Sequence, residues 1–233
     1  PAQIVVPDNA PLIKRQAMAD YGAKLTLCEP TNAARQAATD KILAEGVAPT
    51  LVHPSNDPRV IAGQGTMALE LYDQVKEMLA SAEAAGRPFD AVVVPIGGGG
   101  MTAGVATAIK GLDPSIRVFA AEPAMSDDAY RSKEAGEILA HREGQPNTIA
   151  DGLRTTLGDN TFPVVRDLVE RVILVEEDAI ISSMRLIWER MKLAIEPSAG
   201  VGIAAALSDP SAAEKLILEH GLLSAEDLPS LQK

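Results

Sequence analysis

The stretch Ala91-Val92-Val93-Val94-Pro95-Ile96-Gly97-Gly98-Gly99-Gly100-Met101-Thr102-Ala103-Gly104 decides the fold. Three consecutive valines read as a buried strand, ended by Pro95. Four glycines follow, and Met101 to Leu112 reads as an Ala-rich helix. A strand, a glycine loop and a helix N-terminus together bind phosphate. Glycines let an anion approach the backbone, and the unpaired amides of the first helical turn point at it. A tight turn without a ligand is the plainer alternative. Each glycine gives up about 1 kcal/mol of conformational freedom, however, and a run of them is more than a turn requires. The phosphate reading is the stronger.

On the N-terminal side the chain alternates strands and helices. Gln3 to Val6 reads as a strand closed by Pro7, Leu12 to Tyr21 as a helix stopped by Gly22, and Lys24 to Cys28 as a second strand. Thr31 is placed to cap a helix running to Glu45 and closed by Gly46, and Thr50 to His53 reads as a third short strand. This βαβαβ pattern favours a parallel sheet. The proline-bounded crossing His53-Pro54-Ser55-Asn56-Asp57-Pro58 is the expected domain boundary, giving a first domain over 1–56 and a second over 57–233. His53, alone before a proline, reads as structural. Ile61 to Thr66 introduces a long helix from Met67 to about Ala84, broken by Ala85-Gly86-Arg87-Pro88.

Beyond the glycine loop, Arg117 to Ala121 reads as a strand ending on Glu122, and a carboxylate-rich loop, Pro123 to Asp128, opens a helix through Lys133. Residues 136–160 read as loop-rich, Val172 to Val175 as a strand, and Glu176 to Lys192 as a strong helix with acids in its first turn. Ile195-Glu196-Pro197-Ser198-Ala199-Gly200 leads into a small-residue helix ending at Leu207, and the tail from Ser208 shows helical patterns without a strand.

At 233 residues and 46% hydrophobic content, the chain can bury a real core. A formal charge of -11 argues against a nucleic-acid or anionic-membrane partner, because phosphates would be repelled. No apolar run of these residues reaches membrane-spanning length, and no secretory signal is expected. The single cysteine, Cys28, excludes an internal disulfide and reads as a small buried hydrophobe. A cytoplasmic α/β protein is expected. The chain opens on Pro1, already inside a strand pattern, and is expected to be a piece whose beginning lies elsewhere.

Spacing alone admits a dinucleotide-binding oxidoreductase. Gly98, Gly100 and Ala103 satisfy G-x-G-x-x-G/A, and Glu122 ends the next strand near where a ribose-binding acid belongs. The glycine run exceeds that fingerprint, and a βαβαβ unit already precedes it.

More of the chain is covered by Val-Val-Pro-Ile-Gly-Gly-Gly-Gly-Met, Ile-Ala-Gly-Gln-Gly-Thr, Ala-Ala-Glu-Pro and Ile-Glu-Pro-Ser-Ala-Gly taken together. At these residues the sequence resembles the fold-type II pyridoxal-phosphate enzymes, within them the serine racemases and serine/threonine dehydratases. Trp188 to Pro197 and Thr148-Ile-Ala-Asp-Gly152 look most like the eukaryotic racemase branch. The resemblance runs from the first residues to about Leu207 and implies an α/β fold with parallel sheets flanked by helices, incomplete at both ends.

The resemblance implies further roles. Gly97, Gly98, Gly99 and Gly100, with the Met101 amide, would cradle the phosphate of pyridoxal 5'-phosphate. Asp151, Gly152 and Glu196 would line the cofactor pocket. Glu122, Asp128 and the carbonyl of Ser126 would form a divalent-cation site. These are hard oxygen ligands that suit Mg²⁺, Ca²⁺ or Mn²⁺. From the residues alone, Ser126 and Asp127 read more simply as caps of the following helix. Tyr21 and Lys192 match positions that contact an activating nucleotide, ATP, in animal racemases; their plainer readings are a core tyrosine and a solvated helix lysine. The substrate implied is serine or threonine, and the full-length relatives are expected to be homodimers.

Two departures from the family weigh heavily. The lysine that anchors the cofactor and the Ser-Ser-Gly-Asn-His-Gly loop, whose serine is the opposite-face base, would both precede Pro1, and no lysine of this chain stands in the needed context. No catalytic residue is therefore nominated. A strand ending in Ser-Gly-Gly is expected after the last helix, where Glu219-His-Gly-Leu-Leu-Ser-Ala-Glu-Asp227 stands instead. Position 55, Ser here, is often Asn in racemases and aromatic in dehydratases. The chain is therefore expected to be inactive alone. The rival from a different class is a non-catalytic paralogue that binds cations or phosphate ligands.

Overall fold

The computed structural model describes residues 2–45, 50–81, 87–142 and 146–208. Gly46, the break at Ala85-Gly86 and the tail beyond Ser208 lie outside the described residues. Contacts divide the chain into two compact units, one ending at Val52 and the other beginning at His53.

The first unit is β1 (Gln3–Pro7), α1 (Leu12–Asp20), β2 (Lys24–Cys28) and α2 (Asn32–Glu45). The two strands run parallel, Gln3 opposite Lys24 and Pro7 opposite Cys28. Gly22, at φ +84°, turns the chain out of α1. The Thr31 hydroxyl accepts the amide of Ala34 at 3.1 Å and starts α2 as expected. The third strand expected over Thr50 to His53 does not form. Leu51 and Val52 are exposed, and no strand among the described residues pairs with them.

The second unit holds α3 (Pro58–Ser81), β3 (Ala91–Pro95), α4 (Gly100–Leu112), β4 (Arg117–Pro123), α5 (Asp128–Ala135), α6 (Phe162–Leu168), β5 (Arg171–Val175), α7 (Glu177–Met191) and α8 (Pro197–Leu207). Its strands form a parallel sheet in the order β3-β4-β5, with Ala91 opposite Arg117 and Phe119 opposite Arg171. The two-residue period of the strands sends side chains to two cores. Val94, Ile96, Val118, Ala120 and Val172 pack with residues of α3, α4 and α6, whereas Val93, Ala121, Ile173 and Val175 pack with α7 and α8. Apolar residues are needed on both faces, which is why Val92-Val93-Val94 is an unbroken run.

Helix α3 begins nine residues before the expected Met67 and runs through Gly63 and Gly65. Asp57 accepts the amide of Arg59 at 2.8 Å and Pro58 takes the first helical position, which makes a strong start. Gly65 does not break the helix; it lets α3 lie against α4. A Cβ there would come within 2.9 Å of the Gly104 carbonyl oxygen. Helix α6 was not anticipated from the sequence.

All three strands of this sheet point the same way. Their C-terminal ends, Pro95, Pro123 and Val175, form one edge, where ligands of open α/β sheets bind.

Candidate cofactor and cation site

The glycine loop leaves that edge directly. Ile96 donates to the Ala121 carbonyl at 2.9 Å, the last bond of the ladder, and Gly97 to Gly100 are buried. Gly99, at φ +81°, swings the chain into α4, a conformation that disfavours any side chain. The loop is walled closely. A Cβ on Gly97 would sit 2.9 Å from Leu153 Cα, one on Gly99 would sit 2.7 Å from Leu157 Cδ2, and one on Gly100 would sit 2.7 Å from the Ser55 carbonyl oxygen. Thr161 donates its hydroxyl to the Gly98 carbonyl at 2.9 Å and accepts the Gly158 amide at 2.9 Å, which fixes the loop from below.

Among the described residues, no group accepts the amide hydrogens of Gly97, Gly98, Gly99, Gly100 or Met101. Buried amides are paired in nearly all native structures. A row of unpaired ones at a helix N-terminus is matched by an anion with several acceptor oxygens, and a phosphate group fits.

Ser55 packs on the backbone of Gly98 and Gly100. Its turn is held by His53, whose Nδ1 accepts the amides of Ser55 at 3.2 Å and Asn56 at 2.8 Å, in agreement with a structural histidine. Asn56 in turn accepts two bonds from Asn160, its backbone amide on Oδ1 at 2.9 Å and its side-chain amide on the Asn56 carbonyl at 2.7 Å.

Asp151, Gly152 and Leu153 make a 3-10 turn beside the loop. The Gly152 amide donates to Ser198 Oγ at 3.2 Å, and a Cβ on Gly152 would stand 3.6 Å from Glu196 Oε1. The structure thus gathers Gly97, Asp151-Gly152 and Glu196, three separate expectations, around one edge. Ser198, buried at the start of α8, was not singled out from the sequence.

Beside this edge lie the carboxylates. Glu122, at the end of β4, is fully buried; its Oε1 accepts the Ala129 amide and its Oε2 the Tyr130 amide, both at 2.8 Å. Asp128 is 1% exposed, and its Oδ2 has no partner among the described residues. Burial first, then the neighbouring Asp128, pushes the Glu122 carboxyl up to about 9, against the pull of the two amides. His141 Nδ1 lies 3.2 Å from Asp128 Oδ1 and its Nε2 lies 2.9 Å from the Arg154 carbonyl. Both partners favour ring N–H groups, and the bond to Asp128 raises the pKa of His141.

Neither Ser126 nor Asp127 caps α5 with its side chain, so the simpler reading of those residues is replaced. Glu122 does the capping from a distance. Ser126, 2% exposed, donates its hydroxyl to the Leu153 carbonyl at 3.1 Å, and no described amide takes its own carbonyl. Asp127 is turned away, bonded to Arg131 at 2.8 Å and Arg142 at 2.7 Å. Among the described residues, no group of three or more His, Cys, Asp or Glu side chains is placed to hold a metal. Two buried carboxyls close enough for Asp128 to raise Glu122, one of them with an orphaned oxygen, plus a carbonyl that takes no described amide, nonetheless fit a hard divalent cation that keeps several waters.

Tyr21 is 90% exposed, which removes the core-tyrosine reading. Lys192 ends α7 in the left-handed region, at φ +58°, and donates its amine to the Glu189 carbonyl at 2.7 Å. Glu122 is fully buried and its two oxygens are engaged by the first amides of α5, where the dinucleotide reading needs an acid open to a ribose.

The family model described as pyridoxal-phosphate dependent enzyme matches residues 1–219. The chain belongs to this family. It is 49% identical to serine racemase of Mus musculus over 210 residues, 89% of this chain and 58% of that protein. Among solved structures, maize serine racemase superposes with a TM-score of 0.81 at 44% identity, covering 91% of this chain and 60% of that one. The T.th. threonine deaminase gives a TM-score of 0.79 at 40% identity, covering 90% and 65%. The chain thus has the fold of the fold-type II pyridoxal-phosphate enzymes, and it spans about 58% of the mouse relative.

Proposed function

We propose that the chain is the part of a serine racemase with serine/threonine dehydratase activity that holds the cofactor phosphate and a divalent cation, with little or no turnover by itself. The observation that carries this reading is the row of unpaired amides over Gly97 to Met101 in a chain 49% identical to a serine racemase.

Gly97 to Gly100 and the Met101 amide bind the phosphate of pyridoxal 5'-phosphate, and Asp151, Gly152 and Glu196 wall the rest. Bound cofactor supplies an electron sink for charge developing at the substrate Cα. The tight packing of Leu153, Ser55 and Leu157 against the loop holds its amides oriented before the ligand arrives. Glu122, Asp128 and the Ser126 carbonyl hold Mg²⁺, Ca²⁺ or Mn²⁺. The first unit is assigned to the small domain, and the second to most of the large domain. Tyr21 and Lys192 are each assigned as a contact to a nucleotide effector, ATP. No described helix is long and apolar enough to cross a membrane, and a cytoplasmic location is inferred from the acidic, single-cysteine composition.

Fluorescence titration with pyridoxal 5'-phosphate should saturate and be competed by inorganic phosphate, and Gly98→Val should abolish binding. Borohydride should leave no adduct on a specific lysine, and serine should yield neither pyruvate nor D-serine. Unchanged binding by Gly98→Val would refute the phosphate assignment. A single stoichiometric pyridoxyl-lysine, or turnover, would refute the claim of inactivity.

A further inference from the structure

The loop that carries the proposed cation ligands and the loop that carries the phosphate-binding amides are joined through one residue. Ser126 lies between Glu122 and Asp128 in sequence, and its side chain leaves the cation site altogether. The hydroxyl is buried and donates to the Leu153 carbonyl at 3.1 Å. Leu153 closes the 3-10 turn of Asp151–Leu153, and its own amide donates to the Ala150 carbonyl at 2.9 Å. The other side of Leu153 forms the floor of the glycine loop: a Cβ on Gly97 would lie 2.9 Å from Leu153 Cα and 3.3 Å from its carbonyl carbon and from the Gly152 carbonyl oxygen. Ser126, Leu153 and Gly97 therefore form a contiguous backbone contact, with no flexible side chain except one short hydroxyl.

A second tie runs alongside. His141 spans Asp128 Oδ1 at 3.2 Å and the Arg154 carbonyl at 2.9 Å, so the residue after Leu153 is also held to a cation-loop carboxylate. The 151–153 turn is anchored from its far side by Ser198, which accepts the Gly152 amide at 3.2 Å. The turn is thus clamped between α8 and the cation loop, and any shift of Ser126 on loading the ion is passed to Leu153 and then to Gly97.

We infer that Ser126 is a positioning residue that couples cation occupancy to phosphate affinity: its carbonyl faces the ion and its hydroxyl sets the floor of the glycine loop. This inference rests on the proposed cation and phosphate assignments. Coupling between two sites is reciprocal, so the cation should tighten pyridoxal 5'-phosphate and the cofactor should tighten the cation by the same factor. A two-atom link of this kind belongs at the lower end of the usual range, about fivefold.

Ser126→Ala separates the two roles, since it keeps the carbonyl and removes the hydroxyl. The dissociation constant of pyridoxal 5'-phosphate is measured by fluorescence on the full chain in chelator and in saturating Mg²⁺, and cation binding is followed independently by the rise in melting temperature. For the parent the ratio of constants should be about five. For Ser126→Ala the melting temperature should still rise with Mg²⁺, while the ratio falls to about two, the remainder being carried by the His141 tie; Ser126→Thr, which keeps a hydroxyl, should restore it. Each ratio is taken within one variant, so a general loss of stability cancels. A parent ratio retained in Ser126→Ala overturns the coupling and leaves the cation site standing. If Mg²⁺ has no effect on the parent, both fail together, and a Ser126→Ala protein that no longer responds to Mg²⁺ in its melt makes the hydroxyl part of the cation site and overturns the separation of roles.

Discussion

The carboxylate of Glu122 accepts the backbone amide of Tyr130 at 2.8 Å, so the last buried turn of a strand caps the helix that follows it. With the Ala129 amide on the other carboxylate oxygen, also at 2.8 Å, it fixes the start of α5 and so where Asp128 stands. It brings a second carboxylate into the same dry space, which is an electrostatic cost unless a cation or protons are present. The remaining chemistry of the site follows from that crowding.

Addition of millimolar Mg²⁺ or Ca²⁺ should raise the melting temperature. Binding stabilises the folded chain by about 2.7 kcal/mol at a hundredfold excess over Kd. Asp128→Ala should abolish the rise. Asp127→Ala should preserve it, because Asp127 is spent on Arg131 and Arg142. Equal responses from both variants and the parent would show that the carboxylates hold no ion.

In chelator, stability should fall as pH rises. Glu122 titrates at about 9 in the folded chain against an ordinary value of 4.5, so the folded state holds a proton that the unfolded state releases. The contribution is complete below 4.5 and is lost as pH climbs through 9. His141, also raised, acts in the same direction. A cation replaces the proton, so it should bind more tightly at about pH 8 than at about pH 6 and flatten the decline. Melting curves across this range check both; a chelated protein most stable at about pH 9 would contradict the assignment.

Thr161→Val should destabilise the second unit by about 1–3 kcal/mol while keeping the side-chain shape. The hydroxyl donates to Gly98 and accepts from Gly158 inside a fully buried site, so the change strands a carbonyl and an amide. Urea unfolding measures the loss. A change within experimental error would mean that water or rearrangement satisfies both groups.

Local chemistry was legible wherever it decided structure. Lys24 to Cys28, Pro95 and Thr31 stand where strand propensity, proline and capping put them. The strand expected over Thr50 to His53 failed because Leu51 and Val52 have no strand beside them among the described residues, and a strand is defined by its partner. Ile61 to Thr66 read only as the lead into a helix from Met67, because the cost of Gly63 and Gly65 is local, whereas the reward at Gly65, contact with Gly104, is visible only in three dimensions. Helix α6 was hidden by Pro163-Val164-Val165, and the Lys133 amine supports its end by donating to the Arg166 carbonyl at 2.8 Å, a residue far away in sequence. The glycine loop and the acidic pair were readable as candidates. His141 and Ser198 were not, since each works through a partner many residues distant, with no spacing to mark it.

The glycines of α4 offer a contrast in which one substitution changes sign over a short distance. Gly104 faces α3 so closely that a Cβ would be 2.7 Å from the Gly65 amide nitrogen and 3.1 Å from the Gln64 carbonyl carbon. Those atoms are backbone, so they move only if the helices separate. Gly111, in the same helix, has nothing within 4 Å of the position a Cβ would take. Gly104→Ala should therefore destabilise by about 1–3 kcal/mol through overpacking. Gly111→Ala should stabilise by about 0.5–1 kcal/mol, because alanine loses less backbone freedom than glycine on forming a helix. The α3–α4 contact forms part of the core that supports the glycine loop, so Gly104→Ala should also weaken pyridoxal 5'-phosphate binding, whereas Gly111→Ala should leave it unchanged. Denaturant midpoints of the two variants decide the matter. If both move in the same direction, the close approach of α3 and α4 is not what keeps Gly104 small.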